Sequence, residues 1–372
     1  MIDETEEDEE ETGYEPVEDD ADEIEIIDQQ GSDVADQLPF YTITSYGADY
    51  PVDGLVRRIS DGSVFIPTFQ RNYVWGINQA SRFIESLLLG LPVPGIFLSR
   101  EQGTGKMLVI DGQQRLRTIQ YFYDGVFPPT DKGFSLKKVH ATFLGQTYRT
   151  LPDDVRRQLD DSIIHATVVQ QERPTDDDSS VYQIFERLNT GGARLSPQEI
   201  RTCIYHGEMA ELLRTLNQTP TWRDIYGPIS SRMRDQEMIL RFLALYFVQP
   251  YTQYMVGFLN AYMGMNRALK VQPAEAITDA FVPAINLVHG AIGRQAFRPR
   301  RSFNAAVFDS VMVGVARRLA AGPVTDLPGL AARYATLLQV RDFTDATETG
   351  TAQTNNVETR LNLATGAFAD AP

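Results

Sequence analysis

Five consecutive residues of the sequence combine properties that suit phosphate chemistry. They are Asp111, Gly112, Gln113, Gln114 and Arg115, and an apolar run directly precedes them. If a helix starts here, its free backbone N–H groups and partial positive charge favour an anion such as phosphate. Gly112 lets the backbone approach a ligand, and Arg115 can bind phosphate oxygens with a planar set of donors. Asp111 can hold Mg²⁺, cap the helix or accept a proton.

The same five residues also have a purely structural interpretation. Asp-Gly before a helix is an ordinary capping turn. Gln-Gln-Arg on a first helical turn can simply face solvent. The segment by itself leaves both interpretations open.

The elements that must position these residues follow from the hydrophobic pattern. The apolar run 107–110 predicts a short buried strand. Leu116, Ile119 and Tyr123 share one face of a helix, and Gly125 is typical of the residue after a helix end. The candidate site is therefore predicted at a strand-to-helix junction.

The segments around this junction predict further strands and helices of an α+β unit. The predicted strands cover residues 41–45, 95–99 and 163–170, and the predicted helices cover residues 52–60, 78–89 and 152–159. Asn78 is expected to cap its helix. Residues 65–75 contain Pro67 and are predicted to be extended. Gln70 and Arg71 in this stretch either cover a ligand, with Arg71 as a second phosphate contact, or belong to an edge strand whose aromatic residues enter the core.

The second half of the sequence has helical periodicity. Helices are predicted at residues 181–188, from 197 onward, and at 209–217, 236–247, 254–270, 274–290, 305–321 and 330–340. Ser196 is expected to cap the helix that begins at Pro197. The loop before it contains Asn189, Gly191 and Gly192, which either approach a nucleotide or only end the preceding helix. The small, polar stretch from Asp345 is expected to be partly ordered.

Charge is distributed very unevenly along the chain. The 372 residues carry a formal net charge of −16, but residues 1–38 hold 18 of the 50 acids and no Lys or Arg. The rest has 34 basic residues against 32 acids, a net charge of +2. Residues 1–38 are therefore predicted to be a disordered acidic tail, either solubilising or mimicking the charge of nucleic acid. Residues 40–172 are predicted to form an α+β nucleotide-binding domain, and residues 173–372 a helical domain.

The remaining composition favours a cytoplasmic protein without a membrane anchor. Cys203 is the single cysteine, so an internal disulfide is excluded. The acidic N-terminus lacks the cationic start of a signal peptide. The most apolar region, residues 242–248, is too short to span a bilayer.

Four motifs together resemble one known family. They are Ile66–Trp75, Phe83–Pro92, Val109–Arg115 and Phe185–Ser196. The order of these motifs and their residues are similar to those in the N-terminal domain of GmrSD-type modification-dependent restriction systems. Residues 232–237 also resemble the helical part of that family. Four motifs in the same order make this a specific resemblance.

The resemblance implies a ParB/sulfiredoxin-like α+β domain followed by helices. In that family the Asp-Gly-Gln-Gln-Arg signature is associated with binding and hydrolysis of nucleoside triphosphates, which in some members controls a nuclease in phage defence. It implies Mg²⁺ and a nucleoside triphosphate as ligands. The implied nucleotide contacts are Gln70, Arg71, Gly112, Asn189, Gly191 and Gly192, and the implied catalytic residues are Asp111, Gln113, Gln114 and Arg115.

The implied roles follow the usual division of labour in phosphoryl transfer. Asp111 would bind the metal or position the attacking water, and Gln113 or Gln114 would orient that water. Arg115 and Arg71 would stabilise charge on the phosphates. The sequence does not distinguish the two glutamines.

One feature departs from many relatives, which carry a C-terminal HNH-type nuclease domain. That chemistry needs a histidine base and clustered metal ligands. The four histidines of this chain, His140, His165, His206 and His289, show no paired ligand spacing. A separate nuclease subunit is therefore an expected partner.

The alternative function is a DNA- or partner-binding module without turnover. Its candidate DNA contacts are Arg294, Arg298, Arg300 and Arg301, with Phe297 and Phe303 between them. Such basic clusters can follow phosphates. The structural alternative is that these arginines pair with acids on a neighbouring helix or in the acidic tail.

Overall fold

The computed structural model describes residues 42–66, 73–101, 103–173, 179–188, 195–251 and 254–371. Several predicted features lie outside these ranges. They are the acidic tail 1–38 and the candidate nucleotide contacts Gln70, Arg71, Asn189, Gly191 and Gly192.

A five-stranded mixed sheet forms the centre of the first half of the chain. Its strands are β1 (Thr42–Pro51), β2 (Val64–Phe65), β3 (Ile96–Arg100), β4 (Met107–Asp111) and, later in the chain, β7 (Ile163–Arg173). Their order is β1-β7-β3-β4-β2. The β1–β7 and β3–β4 pairs are antiparallel, whereas β7–β3 and β4–β2 are parallel. A separate antiparallel hairpin is formed by β5 (Val126–Phe127) and β6 (Lys132–Gly133).

Four helices cover one face of the sheet. They are α1 (Val52–Ser60), α2 (Ile77–Leu88), α3 (Gln113–Asp124) and α4 (Asp153–Asp161). Their apolar stripes share one core with sheet residues such as Leu98, Val109 and Val168. Burial of this amphipathic surface, rather than helix propensity alone, stabilises such short helices.

The other face of the sheet packs against the helical second half. Leu108, Ile110 and Val169 belong to the same core as Phe185 and the buried residues of the later helices. Those helices are α5 (Ser179–Leu188), α6 (Pro197–Ile204), α7 (Glu208–Leu216), α8 (Pro220–Tyr226), α9 (Arg234–Phe247), α10 (Met255–Met265), α11 (Ala274–Ala291), α12 (Ala305–Ala320), α13 (Leu327–Leu337), α14 (Arg341–Glu348) and α15 (Thr354–Ala369).

This architecture confirms the predicted α+β class with a helical second half, but it corrects details. Asn78 does not cap α2, because the helix begins at Ile77 after Gly76, without a side-chain cap. Helices α8, α14 and α15 are absent from the pattern-based prediction. The stretch after Asp345 is not merely partly ordered, since Leu361 and Phe368 of α15 are buried in the core.

Among the described residues, no helix combines the length and apolar character needed to cross a bilayer.

Candidate functional site

The junction between β4 and α3 depends on a glycine. Gly112 is buried and has a left-handed φ of 101°. A Cβ atom at this position would lie 2.4 Å from Ile96 Cγ2. Any other side chain would therefore clash with β3, so the backbone can pass this close to Ile96 only with a glycine at position 112.

Asp111 and Arg115 form an ion pair across this junction. Arg115 Nη2 donates to Asp111 Oδ2 at 2.8 Å and also to the backbone oxygen of Gly95 at 2.9 Å. The Asp111 side chain is 50% exposed, whereas that of Arg115 is 16% exposed. A largely buried guanidinium thus holds a carboxylate that remains open to solvent.

The N-terminus of α3 is suited to binding an anion. Gly112 is its N-cap residue, and no described side chain caps the helix. The alternative that Asp111 caps α3 is therefore wrong, because its carboxylate contacts Arg115 instead. The partial positive charge of the helix start and the arginine adjoin the exposed carboxylate, an arrangement suited to a phosphate with a bound cation.

The Gln114 side chain connects α3 to the segment before α2. Gln114 Oε1 accepts hydrogen bonds from the backbone N–H groups of Val74 and Trp75, at 3.0 and 3.4 Å. Two N–H donors facing one atom identify that atom as the amide oxygen. The oxygen of Gln114 is therefore engaged within the protein.

A second contact reinforces the same connection. The hydroxyl of Tyr73 lies 2.7 Å from Thr118 Oγ1, and Thr118 Oγ1 donates to the backbone oxygen of Gln114 at 2.7 Å. Burial raises the pKa of Tyr73 to about 12, so this phenol stays neutral. The chain that emerges from the segment containing Gln70 and Arg71 is thus attached to the first turns of α3.

The loop predicted to contain Asn189, Gly191 and Gly192 is flanked by described elements on both sides. It leaves α5 after Leu188 and enters α6, where Ser196 forms the predicted capping box with Glu199. Ser196 Oγ also donates to the backbone oxygen of Arg232 at 2.7 Å, and Arg232 pairs with Glu199 at 3.2 Å. Residues 232–237, which resemble the family's helical part, therefore start beside the N-terminus of α6.

A comparison with known protein families matches the part of the chain that contains the candidate site. Residues 52–206 match the family model described as the GmrSD restriction endonuclease, N-terminal domain. This segment is therefore similar to the GmrSD N-terminal domain. The matched segment begins with α1 and ends two residues after α6. It therefore extends past residue 172, where the sequence pattern predicts the boundary between the α+β domain and the helical domain. No curated protein matches the chain.

The arginine cluster lies outside the GmrSD N-terminal domain, and most of it is engaged within the fold. Arg294 pairs with Asp224 at 3.0 Å, Arg298 donates to the backbone oxygen of Tyr226 at 2.7 Å, and Arg300 pairs with Glu348. Arg301 is exposed, while Phe297 and Phe303 are buried in the core. The geometry favours the structural alternative over a DNA-binding surface.

One pair between β1 and β7 has no counterpart in the sequence-based prediction. His165 Nδ1 lies within hydrogen-bonding distance of Asp49 Oδ1, although 116 residues separate them. The register of β1 with β7 places them opposite each other, and both side chains are largely exposed. Alternation along β7 indicates that His165 faces away from the α1–α4 side, but nothing in the sequence reveals its partner.

Proposed function

We propose that this protein binds and hydrolyses a nucleoside triphosphate with Mg²⁺ and regulates a restriction or phage-defence system. The domain family supports the biological context, because it is described as part of a restriction endonuclease. The nucleotide chemistry is supported by the junction of β4 and α3. There a half-exposed carboxylate, a largely buried guanidinium and a helix start with a glycine at its N-cap adjoin one another.

The donor set fits Mg²⁺ held together with phosphate. Among the described residues, no group of three or more His, Cys, Asp or Glu side chains could hold a metal ion. Asp111 would supply a carboxylate ligand, with phosphate oxygens and water completing the shell. Mg²⁺ is commonly bound in this way, through one or two carboxylates and the substrate phosphates. The bound ion would neutralise charge on the phosphates.

The residues around Asp111 have separable roles in this proposal. Arg115 and the start of α3 bind and orient phosphate oxygens and stabilise charge that develops on them. Gln113 is the glutamine assigned to orienting the attacking water. Gln114 positions the segment before α2 instead, because its amide oxygen already accepts two backbone N–H groups.

Phosphate release from ATP, GTP, CTP and UTP with Mg²⁺ tests the proposal. We expect release from at least one nucleotide, and a loss of about 100-fold or more in Asp111→Asn and Arg115→Ala, as for other groups that stabilise charge in a transition state. Asp111→Asn keeps the size of the side chain and removes its charge. Arg300→Ala is the matched control for Arg115→Ala, because Arg300 is an exposed ion-paired arginine on the helical half.

The hydrolysis rates of the variants can be compared only if each variant is folded. Circular dichroism and a thermal transition establish that each variant is folded before its rate is interpreted. A wild-type protein that neither binds nor hydrolyses any of the four nucleotides contradicts the proposal. Binding without release would contradict the hydrolytic part and identify a nucleotide sensor. A separate nuclease subunit stays a prediction, to be sought once the nucleotide is known.

A further inference from the structure

One stretch in the first half of the chain carries positive charge only. Residues 132–152 contain Lys132, Lys137, Lys138 and Arg149, but no Asp or Glu. The whole chain has a formal net charge of −16 and holds only five lysines, three of which lie in this stretch. The stretch is therefore a local exception to the negative charge of the chain.

Most of this stretch forms a loop between β6 and α4 that is fixed to the core. Phe134 and Phe143 are buried in the core that α1–α4 share with the sheet. The N–H of Leu136 donates to the backbone oxygen of Gln146 at 2.9 Å, and the N–H of Gly145 donates to the backbone oxygen of Leu136 at 2.8 Å. The segment with the two adjacent lysines and the segment with the arginine are thus neighbours.

The loop lies along α2, which adds another cation. The N–H of Lys137 donates to the hydroxyl of the buried Ser81 at 3.0 Å, and the N–H of His140 donates to Glu85 Oε1 at 2.6 Å. Arg82 directly follows Ser81 and is exposed. Because Arg82 and Glu85 are three residues apart, they share the face of the helix that borders the loop.

Four exposed cations on these neighbouring segments form what we call the basic surface. Among the described residues, no carboxylate forms an ion pair with any of the four. Nearby arginines of α1 and α4, Arg57 and Arg156, instead pair with acids of their own helices. Because like charges repel one another, a group of unpaired cations favours an anionic partner. The basic surface consists of Arg82, Lys137, Lys138 and Arg149.

The chain itself contains a segment of complementary charge. Residues 1–38 hold 18 acids and no Lys or Arg, and they lie just before β1, which begins at Thr42. An extended segment of this length spans about 130 Å, whereas the radius of gyration of a compact protein with the remaining residues is about 20 Å. The segment can therefore reach any part of the surface. Because it is covalently linked, its effective concentration there is about 1 mM, so a weak attraction is sufficient.

We propose that residues 1–38, the acidic tail, bind the basic surface of the same chain through charge attraction. The inference goes beyond the proposed function and does not depend on nucleotide hydrolysis. A free nucleic acid is the competing anion, but the rest of the chain has a net charge of only +2 and attracts it weakly from a distance. The tail instead is always present. In this position it shields the four cations from other polyanions.

Carbodiimide cross-linking of the full chain tests the proposal, because the reagent joins a lysine amine to a carboxylate that contacts it. The tail has no lysine, so each amide between a tail carboxylate and a lysine reports where the tail binds. Lys106 and Lys270 are exposed and lie outside the basic surface, so they are internal controls. We expect Lys137 and Lys138 to carry about tenfold more tail cross-links than the controls. Salt at about 0.5 M should remove this difference, because it screens charges beyond a few ångströms.

A second measurement follows cleavage of the tail by a protease that cuts after glutamate. The double variant Lys137→Gln/Lys138→Gln should be cut in the tail about threefold faster than wild type or more, because cleavage follows the population of unbound tail. Lys106→Gln/Lys270→Gln is the matched control, since it removes the same charge from exposed lysines elsewhere. The control should be cut at the wild-type rate.

Three results would overturn the proposal. Tail cross-links that are absent, or spread evenly over all five lysines, show that the tail does not select the basic surface. Cross-links that join two chains, detected in a mixture of ¹⁴N- and ¹⁵N-labelled protein, show that a second copy supplies the tail. If no tail cross-link forms and duplex DNA protects Lys137 and Lys138 from acetylation, the partner of the surface is nucleic acid instead.

Discussion

Arg115 joins three separate stretches of the chain with one nitrogen atom. Its Nη2 belongs to α3 and donates both to Gly95 before β3 and to Asp111 at the end of β4. The guanidinium is largely buried, so its position is fixed before any ligand binds. Preorganised donors of this kind stabilise developing charge without reorganisation during the reaction.

Gly112 should tolerate alanine worse than a glycine of similar backbone geometry. Gly145 also has a left-handed φ, of 75°, but a Cβ there would meet nothing within 4 Å. Gly145→Ala should therefore cost only about 1 to 2 kcal/mol of left-handed strain. Gly112→Ala should cost a further 1 to 3 kcal/mol, approximately, from the clash with Ile96. Urea unfolding measures both variants, and equal losses of stability would refute the role assigned to the clash.

The local structure around Gly112 could be predicted from the sequence, whereas its contacts could not. Asp-Gly after an apolar run predicts the junction, and the left-handed Gly112 confirms it. The acceptor on Gly95 and the obstruction by Ile96 come from β3, whose position beside β4 no local pattern specifies. Of the alternatives for Asp111, capping of α3 was wrong, since the carboxylate pairs with Arg115 one helical turn further on.

At the level of elements, the starts of α2 and α3 lie at the same end of the domain. Gln114 in the first turn of α3 accepts from Val74 and Trp75, two residues just before α2. Tyr73 and Thr118 add a second connection. Tyr73, Val74 and Trp75 are therefore anchored beside the candidate site.

Replacing Gln114 should release this anchor. Gln114→Leu leaves the N–H groups of Val74 and Trp75 without their acceptor, and we expect a loss of about 1 to 2 kcal/mol. Gln114→Glu keeps an acceptor oxygen at the same position and should preserve most of the stability. Hydrogen exchange at the Trp75 amide reports the contact directly. An exchange rate that is equal in the leucine and glutamate variants would show that the connection is not formed in solution.

At the level of the whole molecule, a buried charged group connects three helices of the second half. Asp309 on α12 accepts from Arg241 on α9 at 2.7 Å and from Arg360 on α15 at 3.2 Å. All three side chains are at most 2% exposed. Burial lowers the pKa of Arg360, while Asp309 opposes this effect. The last helix is thus attached through charge as well as through apolar packing.

Loss of Asp309 should be strongly destabilising. Asp309→Asn leaves two buried guanidinium groups without their counter-charge, and we expect a loss of about 3 to 5 kcal/mol. Asp345→Ala is the control, because its pair with Arg341 is exposed and should contribute less than about 1 kcal/mol. Chemical denaturation measures both, and similar small losses would show that the buried group is not a structural connection.

A second connection joins the sheet to the helical half and should respond to pH. Arg267 on the helical side contacts His206 and pairs with Glu101 of the β3–β4 turn, and the ring of Phe65 packs against His206. Burial and the charge of Arg267 lower the pKa of His206, although Glu101 opposes them. Hydrogen bonds from Thr104 and Arg267 outweigh burial and lower the pKa of Glu101.

The sign of the pH effect follows from the lowered pKa of His206. Below its ordinary value of 6.5, the unfolded chain binds a proton that the folded state resists. Stability should therefore be complete above this pH and fall as the pH drops below it. Glu101 contributes a separate loss only below its ordinary value of 4.5. Urea unfolding of wild type and His206→Gln between pH 5 and 7, approximately, checks this, and parallel curves would contradict it.

The sequence by itself determined those features that depend on neighbouring residues. The strand 107–110, the stop of α3 at Gly125 and the capping box at Ser196 all appear as predicted. Each depends on a local rule, such as a continuous apolar run, a left-handed glycine or a reciprocal cap. The order of four motifs likewise identified the GmrSD N-terminal domain before any contact was known.

Only the tertiary structure decided which distant residues meet. The pairing of Asp49 with His165 depends on the register of β1 and β7, and the arginines near residue 298 found partners on other helices. The polar 16-residue helix α15 is held in place because its few apolar residues and Arg360 enter a core with α9 and α12. Strand register and helix packing are set by the summed burial of many separated side chains, which no local pattern encodes.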